Sequence, residues 1–143
     1  MMRKKIGITG QSGFMGTHLY NHLDTLSNDF ELIPFEDAFF EDKNKLNKFV
    51  SSCDTIVHIA GMNRHGDPKV IYDTNIRLAK QIISSTIELR HFPHIIFSSS
   101  TQEDRDNPYG NSKKEARKLF VNWAKENNAK FTGLIIPNVF GPF

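Results

Sequence analysis

The sequence predicts a doubly wound α/β domain, in which helices cover both faces of a parallel sheet. Short apolar runs alternate along the chain with longer segments whose apolar residues recur every three or four positions. Strands that are joined by crossover helices in this way lie parallel in one sheet. A glycine-rich segment follows the first apolar run directly, as is common in such domains. No repeat or linker divides the chain, so we expect a single domain over residues 1–143.

Five apolar runs are predicted to be strands, and four segments between them are predicted to be helices. The strands are residues 6–9, 32–33, 55–60, 94–97 and 131–136. The first helix carries an apolar stripe at helical spacing, made of Met15, Leu19, Leu23 and Leu26. The second covers about residues 42–50, and the third has apolar residues from 71 to 87. The fourth runs over residues 113–127 and is opened by Asn107 as N-cap and Pro108 in its first turn.

Composition and charge exclude several classes of protein. The 18 Lys and Arg against 16 Asp and Glu leave a net charge of +2, too balanced for a nucleic-acid or membrane surface. The single cysteine, Cys53, cannot form an intramolecular disulfide, which favours a reducing compartment. No apolar run approaches the roughly 20 residues that span a bilayer. We expect a cytoplasmic protein that binds neither nucleic acid nor membrane.

The glycine-rich segment is a candidate binding loop for a dinucleotide. Gly10, Gly13 and Gly16 have the spacing GxxGxxG between the first strand and the first helix. Glycines let backbone amides at the helix start, here those of Phe14 and Met15, approach a pyrophosphate, and the helix dipole favours the anion. The third glycine lets the helix pack closely on the strand. The alternative is a tight turn that binds nothing.

An acidic residue about 20 positions after such a loop typically accepts hydrogen bonds from the adenosine ribose. Counting from Gly16 leads to Glu36, with Asp37 beside it, at the end of the second strand. A carboxylate here repels a 2′-phosphate, so Glu36 favours NAD over NADP, although a solvated loop carboxylate is the alternative.

Tyr109 and Lys113 form a candidate catalytic pair one helical turn apart. Both lie on the apolar stripe of the last helix, where a lysine needs a cleft or a partner to justify it. An ammonium group near a tyrosine favours the phenolate and lowers a pKa that is ordinarily about 10. In the reverse direction the tyrosine protonates a ketone oxygen. Ser100 precedes this helix at the end of a strand, where a hydroxyl can bond the same oxygen.

Four segments together resemble motifs of the extended short-chain dehydrogenase/reductases, the NAD-dependent epimerase/dehydratase family. They are residues 9–16 (TGQSGFMG), 54–61 (DTIVHIAG), 108–113 (PYGNSK) and 137–142 (PNVFGP). The resemblance covers essentially the whole chain and implies a Rossmann-like fold. Within the family, residues 60–64 (AGMNR) and the short interval before Tyr109 look most like the capsular-polysaccharide UDP-sugar reductases.

The resemblance implies roles for individual residues. Tyr109 matches the catalytic acid/base, and Lys113 matches the residue that lowers its pKa and holds the nicotinamide ribose. Ser100 matches the hydroxyl that orients the carbonyl, although Ser99 or Thr101 takes that role if the register differs by one. The remaining matches are cofactor-binding: the three loop glycines, the small strand-end residues Ala60 and Gly61, and Asn138 near the nicotinamide. Asn75 matches an asparagine usual in the family, or bonds backbone as a structural residue.

The implied function is the NAD(P)-binding part of a nucleotide-sugar oxidoreductase that reduces a 4-keto UDP-N-acetyl-hexulose. An epimerase or dehydratase with retained NAD, and a non-catalytic dinucleotide-sensing or scaffold protein, are the alternatives. The family's third strand is expected to be short or absent, because only about 20 residues separate the second strand from Asp54. The sequence stops at Phe143, before the family's sugar-binding segments. We therefore expect these residues alone to bind a dinucleotide weakly, to catalyse little and to self-associate.

No metal site is expected. His18 and His22 are four residues apart on the first helix, but neither an intervening glutamate nor a third ligand accompanies them. The expected partner is a nucleotide sugar, and a homodimer is left open.

Overall fold

A computed structural model describes residues 2–141 and confirms the predicted fold class. Its strands are β1 (Lys4–Thr9), β2 (Phe30–Ile33), β3 (Thr55–His58), β4 (His94–Ser100) and β5 (Phe131–Ile136). Its α-helices are α1 (Phe14–Asp24), α2 (Lys43–Ser52), α3 (Pro68–Leu89) and α4 (Pro108–Asn127). Two 3-10 helices, Asp37–Glu41 and Thr101–Asp104, precede α2 and α4. All strand pairs are parallel, in the order β2-β1-β3-β4-β5.

The strand order places helices on both faces. The chain crosses from β1 to β2 in one direction and from β2 through β5 in the other. Because such crossovers are right-handed, α1 covers one face, and α2, α3 and α4 cover the other. In agreement, α3 packs against both α2 and α4, while α1 packs against β1 and β2. The reversal opens a crevice at the carboxyl ends of β1 and β3, where sheets of this kind bind ligands.

The elements differ from the sequence prediction mainly at their ends. β4 continues through the serine run, because residues 98–100 pair with β5 instead of forming a turn. β3 ends at His58, two residues earlier than predicted. Asn107 caps α4 as predicted, since its Oδ1 accepts the Gly110 amide at 2.7 Å. Residues 34–54 contain a 3-10 helix and α2 and no strand, which confirms that the family's third strand is absent there.

The core lies between the sheet and the α2–α4 layer. The indole of Trp123 is buried and donates from Nε1 to Thr86 Oγ1 at 2.8 Å, which ties α4 to α3. Phe97 of β4 and Phe120 of α4 pack with ring centroids 5.3 Å apart. These contacts hold α4, with Tyr109 and Lys113, against the sheet. None of the helices within residues 2–141 is both long and apolar enough to cross a membrane.

Candidate active site

A cleft of about 1250 Å³ lies at the carboxyl ends of β1, β3 and β4. Its walls contain every predicted site residue except Glu36. These residues are Gly10, Gly13, Phe14, Met15, Gly16, Ala60, Gly61, Ser100, Tyr109, Lys113 and Asn138. A second groove, of about 830 Å³, lies between α2 and α3 and contains none of them. The folded chain therefore brings the glycine loop and the Tyr–Lys pair into one cleft.

The carboxylate at this cleft is Asp37, not Glu36. Phe35 is buried in the core, and the extended Glu36 that follows it is exposed and does not line the cleft. Asp37, the first residue of the 3-10 helix, does line it. Which of the two carboxylates accepts from a bound ribose stays a prediction, because counting along a motif does not determine which side chain turns inward.

The glycine loop fits an anionic ligand. Gly10 has a φ of +74°, and a Cβ there would lie 2.9 Å from the Ala60 nitrogen. A Cβ on Gly16 would collide with the Gly10 carbonyl oxygen. Gly13, the N-cap of α1, brings no side chain to bond the first amides of the helix. The three glycines line the cleft, and the positive end of the α1 dipole lies beside them, an arrangement that favours a pyrophosphate.

A buried hydrogen-bond network fixes the ends of β1 and β3 beneath the cleft. Thr9 Oγ1 accepts the amides of Ile59 and Ala60, each at 3.1 Å. Its own proton is then donated to His58 Nδ1, 2.7 Å away. These bonds assign the neutral tautomer of His58 with its proton on Nε2. Burial and, to a smaller extent, the nearby charge of Lys113 together lower the pKa of His58 to about 3.

Replacing His58 is expected to weaken the acid sensitivity of the fold. Between pH 6.5 and 3, His58 takes up a proton in the unfolded chain but not in the native one, so stability is lost as the pH falls through this window. Between pH 6.5 and pH 4, we expect the free energy of unfolding in urea to fall by about 3 kcal/mol more in wild type than in His58→Asn. The asparagine still offers Thr9 a hydrogen-bond acceptor. The exposed His22→Asn is the control. Equal losses in wild type and His58→Asn would exclude His58 as the source.

Lys113 is buried beside Tyr109, as its place on the apolar stripe predicted. Only 5% of Lys113 is exposed. Its Nζ donates to the Ser98 carbonyl at 3.0 Å and lies 4.9 Å from the ring centroid of Phe97 and 5.7 Å from that of Tyr109. Burial lowers the pKa of Lys113 to about 8.

The expected lowering of the Tyr109 pKa by Lys113 is not found. Burial raises the pKa of Tyr109, and a hydrogen bond with Ser100 opposes that rise. Lys113 is not among the causes of this shift, and its ammonium group donates to the Ser98 carbonyl. Among the three candidate hydroxyls, that of Ser100 is the one that acts on the pKa of Tyr109, which it lowers. Ser99 bonds Glu103, and Thr101 is exposed.

Asn75 bonds the backbone, as expected if it is a structural residue. Its Oδ1 accepts the Met62 amide at 2.7 Å, and its Nδ2 donates to the Met62 carbonyl at 2.9 Å and to Ser112 Oγ at 3.0 Å. Ser112 in turn donates to the Tyr109 carbonyl at 2.7 Å. A Cβ on Gly61 would lie 3.1 Å from Asn75 Oδ1 and 3.5 Å from Lys113 Nζ. This part of the cleft is therefore packed to the size of a glycine.

Sequence reasoning did not find every residue of the cleft. Gln102 and Asn107 line it beside Tyr109, where Asn107 Nδ2 donates to Gln102 Oε1 at 3.2 Å. Gly110 packs so closely on Gln102 that a Cβ would collide with its carbonyl. A glycine in the first turn of a helix was the one available signal. Within residues 2–141, no group of three or more His, Cys, Asp or Glu side chains is arranged to hold a metal ion.

Known proteins match this chain over almost its whole length. A reductase of Pseudomonas aeruginosa, UDP-2-acetamido-2,6-beta-L-arabino-hexul-4-ose reductase, is 28% identical over 137 residues, which are 96% of this chain and 36% of the reductase. The capsular polysaccharide assembling protein CapF of Staphylococcus aureus is 30% identical, with a TM-score of 0.76, over 96% of this chain and 35% of CapF. RMD of Pseudomonas aeruginosa, solved with NADPH, has a TM-score of 0.86 at 20% identity, over 99% of this chain and 55% of RMD.

The chain thus spans between about one third and just over half the length of these three proteins. At 20% identity, the likeness to RMD shows a shared fold and no more. Residues 6–143 match the NAD dependent epimerase/dehydratase family. That match includes the glycine loop, the carboxyl ends of β1 and β3, and the helix that carries Tyr109 and Lys113. The chain therefore belongs to the NAD dependent epimerase/dehydratase family.

Proposed function

We propose that the cleft binds NAD or NADP and that the protein containing this chain reduces the keto group of a nucleotide sugar. The observation that carries the proposal is the placement of Ser100, Tyr109 and Lys113 in the same cleft as the glycine loop. A protein that only senses a dinucleotide needs no catalytic acid, so the pairing of Tyr109 with Lys113 favours an enzyme. The bound cofactor would supply the hydride, and the chain would supply the proton and the orientation.

The chain's own groups account for cofactor binding. The α1 N-terminus and the loop glycines, which line the cleft, would hold the pyrophosphate, because helix N-terminal amides and the helix dipole favour an anion. Ala60 and Gly61 line the cleft together with Lys113, and the Lys113 ammonium group would bond a ribose hydroxyl. Asn138 lines the same cleft after β5.

Proton transfer is assigned to Tyr109. Its hydroxyl donates a proton to the substrate oxygen as that oxygen gains negative charge. The single hydroxyl proton of Ser100 is donated to the substrate carbonyl before the transfer and to the Tyr109 phenolate after it. Lys113, whose pKa is about 8, is mostly protonated at pH 7, so its charge stabilises the phenolate once substrate and cofactor exclude water.

The proposed substrate is a 4-keto UDP-N-acetyl-hexulose. Support comes from the Pseudomonas aeruginosa reductase, whose name describes a UDP-linked hexul-4-ose. The likeness to CapF supports a connection with capsular polysaccharide assembly. The proposal places the protein in the cytoplasm, because Cys53 is a buried free thiol. A homodimer remains a prediction.

Turnover with a 4-keto UDP-sugar tests the proposal. We expect the protein containing this chain to consume one NADH or NADPH for each keto group reduced, followed by absorbance at 340 nm and by mass analysis of the sugar. Sugar conversion without net consumption of reduced cofactor would indicate an epimerase or dehydratase instead. Dinucleotide binding with no conversion would indicate a sensing or scaffold protein.

Cofactor preference tests the carboxylate at the cleft. We expect NADH to bind more tightly than NADPH, because Asp37 accepts from ribose hydroxyls and repels a 2′-phosphate. Asp37→Asn should reduce the ratio of the NADPH dissociation constant to the NADH dissociation constant by about tenfold, the equivalent of roughly 1.4 kcal/mol. Glu36→Gln is the matched control one residue away, and it should leave the ratio unchanged. A fluorescence titration measures both dissociation constants. Tighter binding of NADPH by wild type, or a ratio altered only by Glu36→Gln, would exclude Asp37 as the carboxylate that sets the preference.

A further inference from the structure

We infer that Glu103 and Arg117 form a positioning pair that sets the hydroxyl of Ser100 against Tyr109. The catalytic consequence rests on the proposed function, whereas the effect on Tyr109 itself can be measured without cofactor or substrate. Neither residue lines the cleft, and no motif of the chain includes them.

A single carboxylate joins three elements next to the site. Glu103 lies in the 3-10 helix Thr101–Asp104, the short link between β4 and α4. It accepts two bonds from Arg117 Nε, at 3.1 and 3.0 Å, and one from Nη2 at 2.8 Å. It also accepts a hydrogen bond from the hydroxyl of Ser99 on β4. The link is thereby held to the strand that carries Ser100 and to the helix that carries Tyr109.

The same link directs the hydroxyl of Ser100. Ser100 Oγ accepts the amide of Gln102 at 3.1 Å, so its own proton stays available for donation into the cleft, which Tyr109 also lines. The Gln102 carbonyl packs directly on Gly110, one residue beyond Tyr109, with no room for a Cβ between them. Glu103 is the next residue of the link. A shift of Glu103 therefore moves Gln102, and with it the donor that orients Ser100.

The burial of the pair indicates a geometric role. The side chain of Glu103 is 8% exposed and that of Arg117 is 33% exposed, whereas the Lys69–Asp73 pair on α3 is 79% and 54% exposed. Burial raises the pKa of Glu103, but the hydrogen bonds from Arg117 and Ser99 and the charges of Arg117 and Lys114 lower it overall. A forked, partly buried contact of this kind fixes direction as well as distance, which an exposed pair does not.

The ionisation of Tyr109 distinguishes positioning from simple electrostatics. If Glu103 acted only through its charge, Glu103→Gln would remove a negative charge and lower the pKa of Tyr109. If Glu103 positions Ser100, the same variant loosens the hydrogen bond to the phenolate and raises that pKa. Arg117→Lys keeps the charge but loses the fork, so positioning again predicts a rise. The two mechanisms therefore predict opposite changes in the pKa of Tyr109 for Glu103→Gln.

The measurement is a pH titration of the tyrosine Cζ signals by NMR in ¹³C-labelled protein. The chain has three tyrosines, and the signal lost in Tyr109→Phe identifies the one of interest. We expect Glu103→Gln and Arg117→Lys each to raise the Tyr109 midpoint by about half a pH unit or more. Asp73→Asn, which breaks the exposed pair on α3, should leave it unchanged. In a Ser100→Ala background, Glu103→Gln should produce no further rise.

An unchanged or lowered midpoint in both Glu103→Gln and Arg117→Lys would overturn the inference. Amide spectra recorded on the same samples show whether each variant is folded. If Glu103→Gln does not fold, the Tyr109 midpoint in Arg117→Lys decides whether the pair positions Ser100. In protein with turnover, both variants should lower kcat and leave the dissociation constant of the dinucleotide within twofold. If the protein shows no turnover at all, the proposed function fails, while the titration still decides the role of the pair.

Discussion

Tyr109→Phe is expected to lower turnover by at least about a hundredfold while leaving dinucleotide affinity within a few fold. The variant keeps the ring but removes the proton donor, and general acid catalysis of this kind contributes roughly 10²–10⁴-fold. The hydroxyl is needed when the ketone oxygen gains charge, so its loss acts on the transition state.

Steady-state rates and a fluorescence titration with NADH or NADPH check this prediction together. Tyr72→Phe is the matched control, because Tyr72 lies on α3 in the groove between α2 and α3, outside the cleft. It should leave both quantities unchanged. A Tyr109→Phe enzyme with a near-normal rate would remove Tyr109 from the mechanism. A loss of dinucleotide affinity as large as the loss of rate would assign Tyr109 to binding instead of to proton transfer.

The features that sequence predicted well are those with local signals. The alternation of apolar runs and helical stripes determines which segments are strands and helices, because each pattern is set by neighbours a few residues away. The position of Lys113 on an apolar stripe indicated a buried lysine, and only 5% of it is exposed. Asn107 and Pro108 marked the start of α4 because capping depends on residues within one turn.

The features that sequence missed depend on contacts between distant residues or on side-chain direction. Thr9 and His58 are 49 residues apart, and Glu103 and Arg117 are 14 apart, so no periodic pattern joins either pair. Serines favour turns, yet residues 98–100 continue β4 because their backbone pairs with β5. The choice between Glu36 and Asp37 depends on which side chain turns towards the cleft after Phe35 enters the core.

Lys113→Met is expected to stabilise the fold at pH 7 while removing activity and weakening dinucleotide binding. Burial lowers the pKa of Lys113 to about 8 from 10.5. Below pH 8 both native and unfolded chains hold this proton, so the native state carries the full cost of a buried charge, about 3 kcal/mol. Methionine removes that cost and fills a similar volume. It also removes the hydrogen bond to the Ser98 carbonyl, worth about 1 kcal/mol, which leaves a net gain of about 2 kcal/mol.

The stability advantage of Lys113→Met over wild type is expected to fall as the pH rises. Between pH 8 and 10.5 the unfolded chain holds a proton at Lys113 that the native chain has released, so wild type gains stability as the pH rises through this window. The advantage of Lys113→Met should therefore be largest near pH 7 and should disappear by about pH 10. Thermal unfolding at both pH values measures it, with the exposed Lys118→Met on the same helix as the control. A Lys113→Met protein that is less stable than wild type at pH 7, or whose advantage grows with pH, would show that the fold tolerates this ammonium group without cost. If the gain is observed together with lost dinucleotide affinity, the buried charge is retained for the cofactor at the expense of the fold.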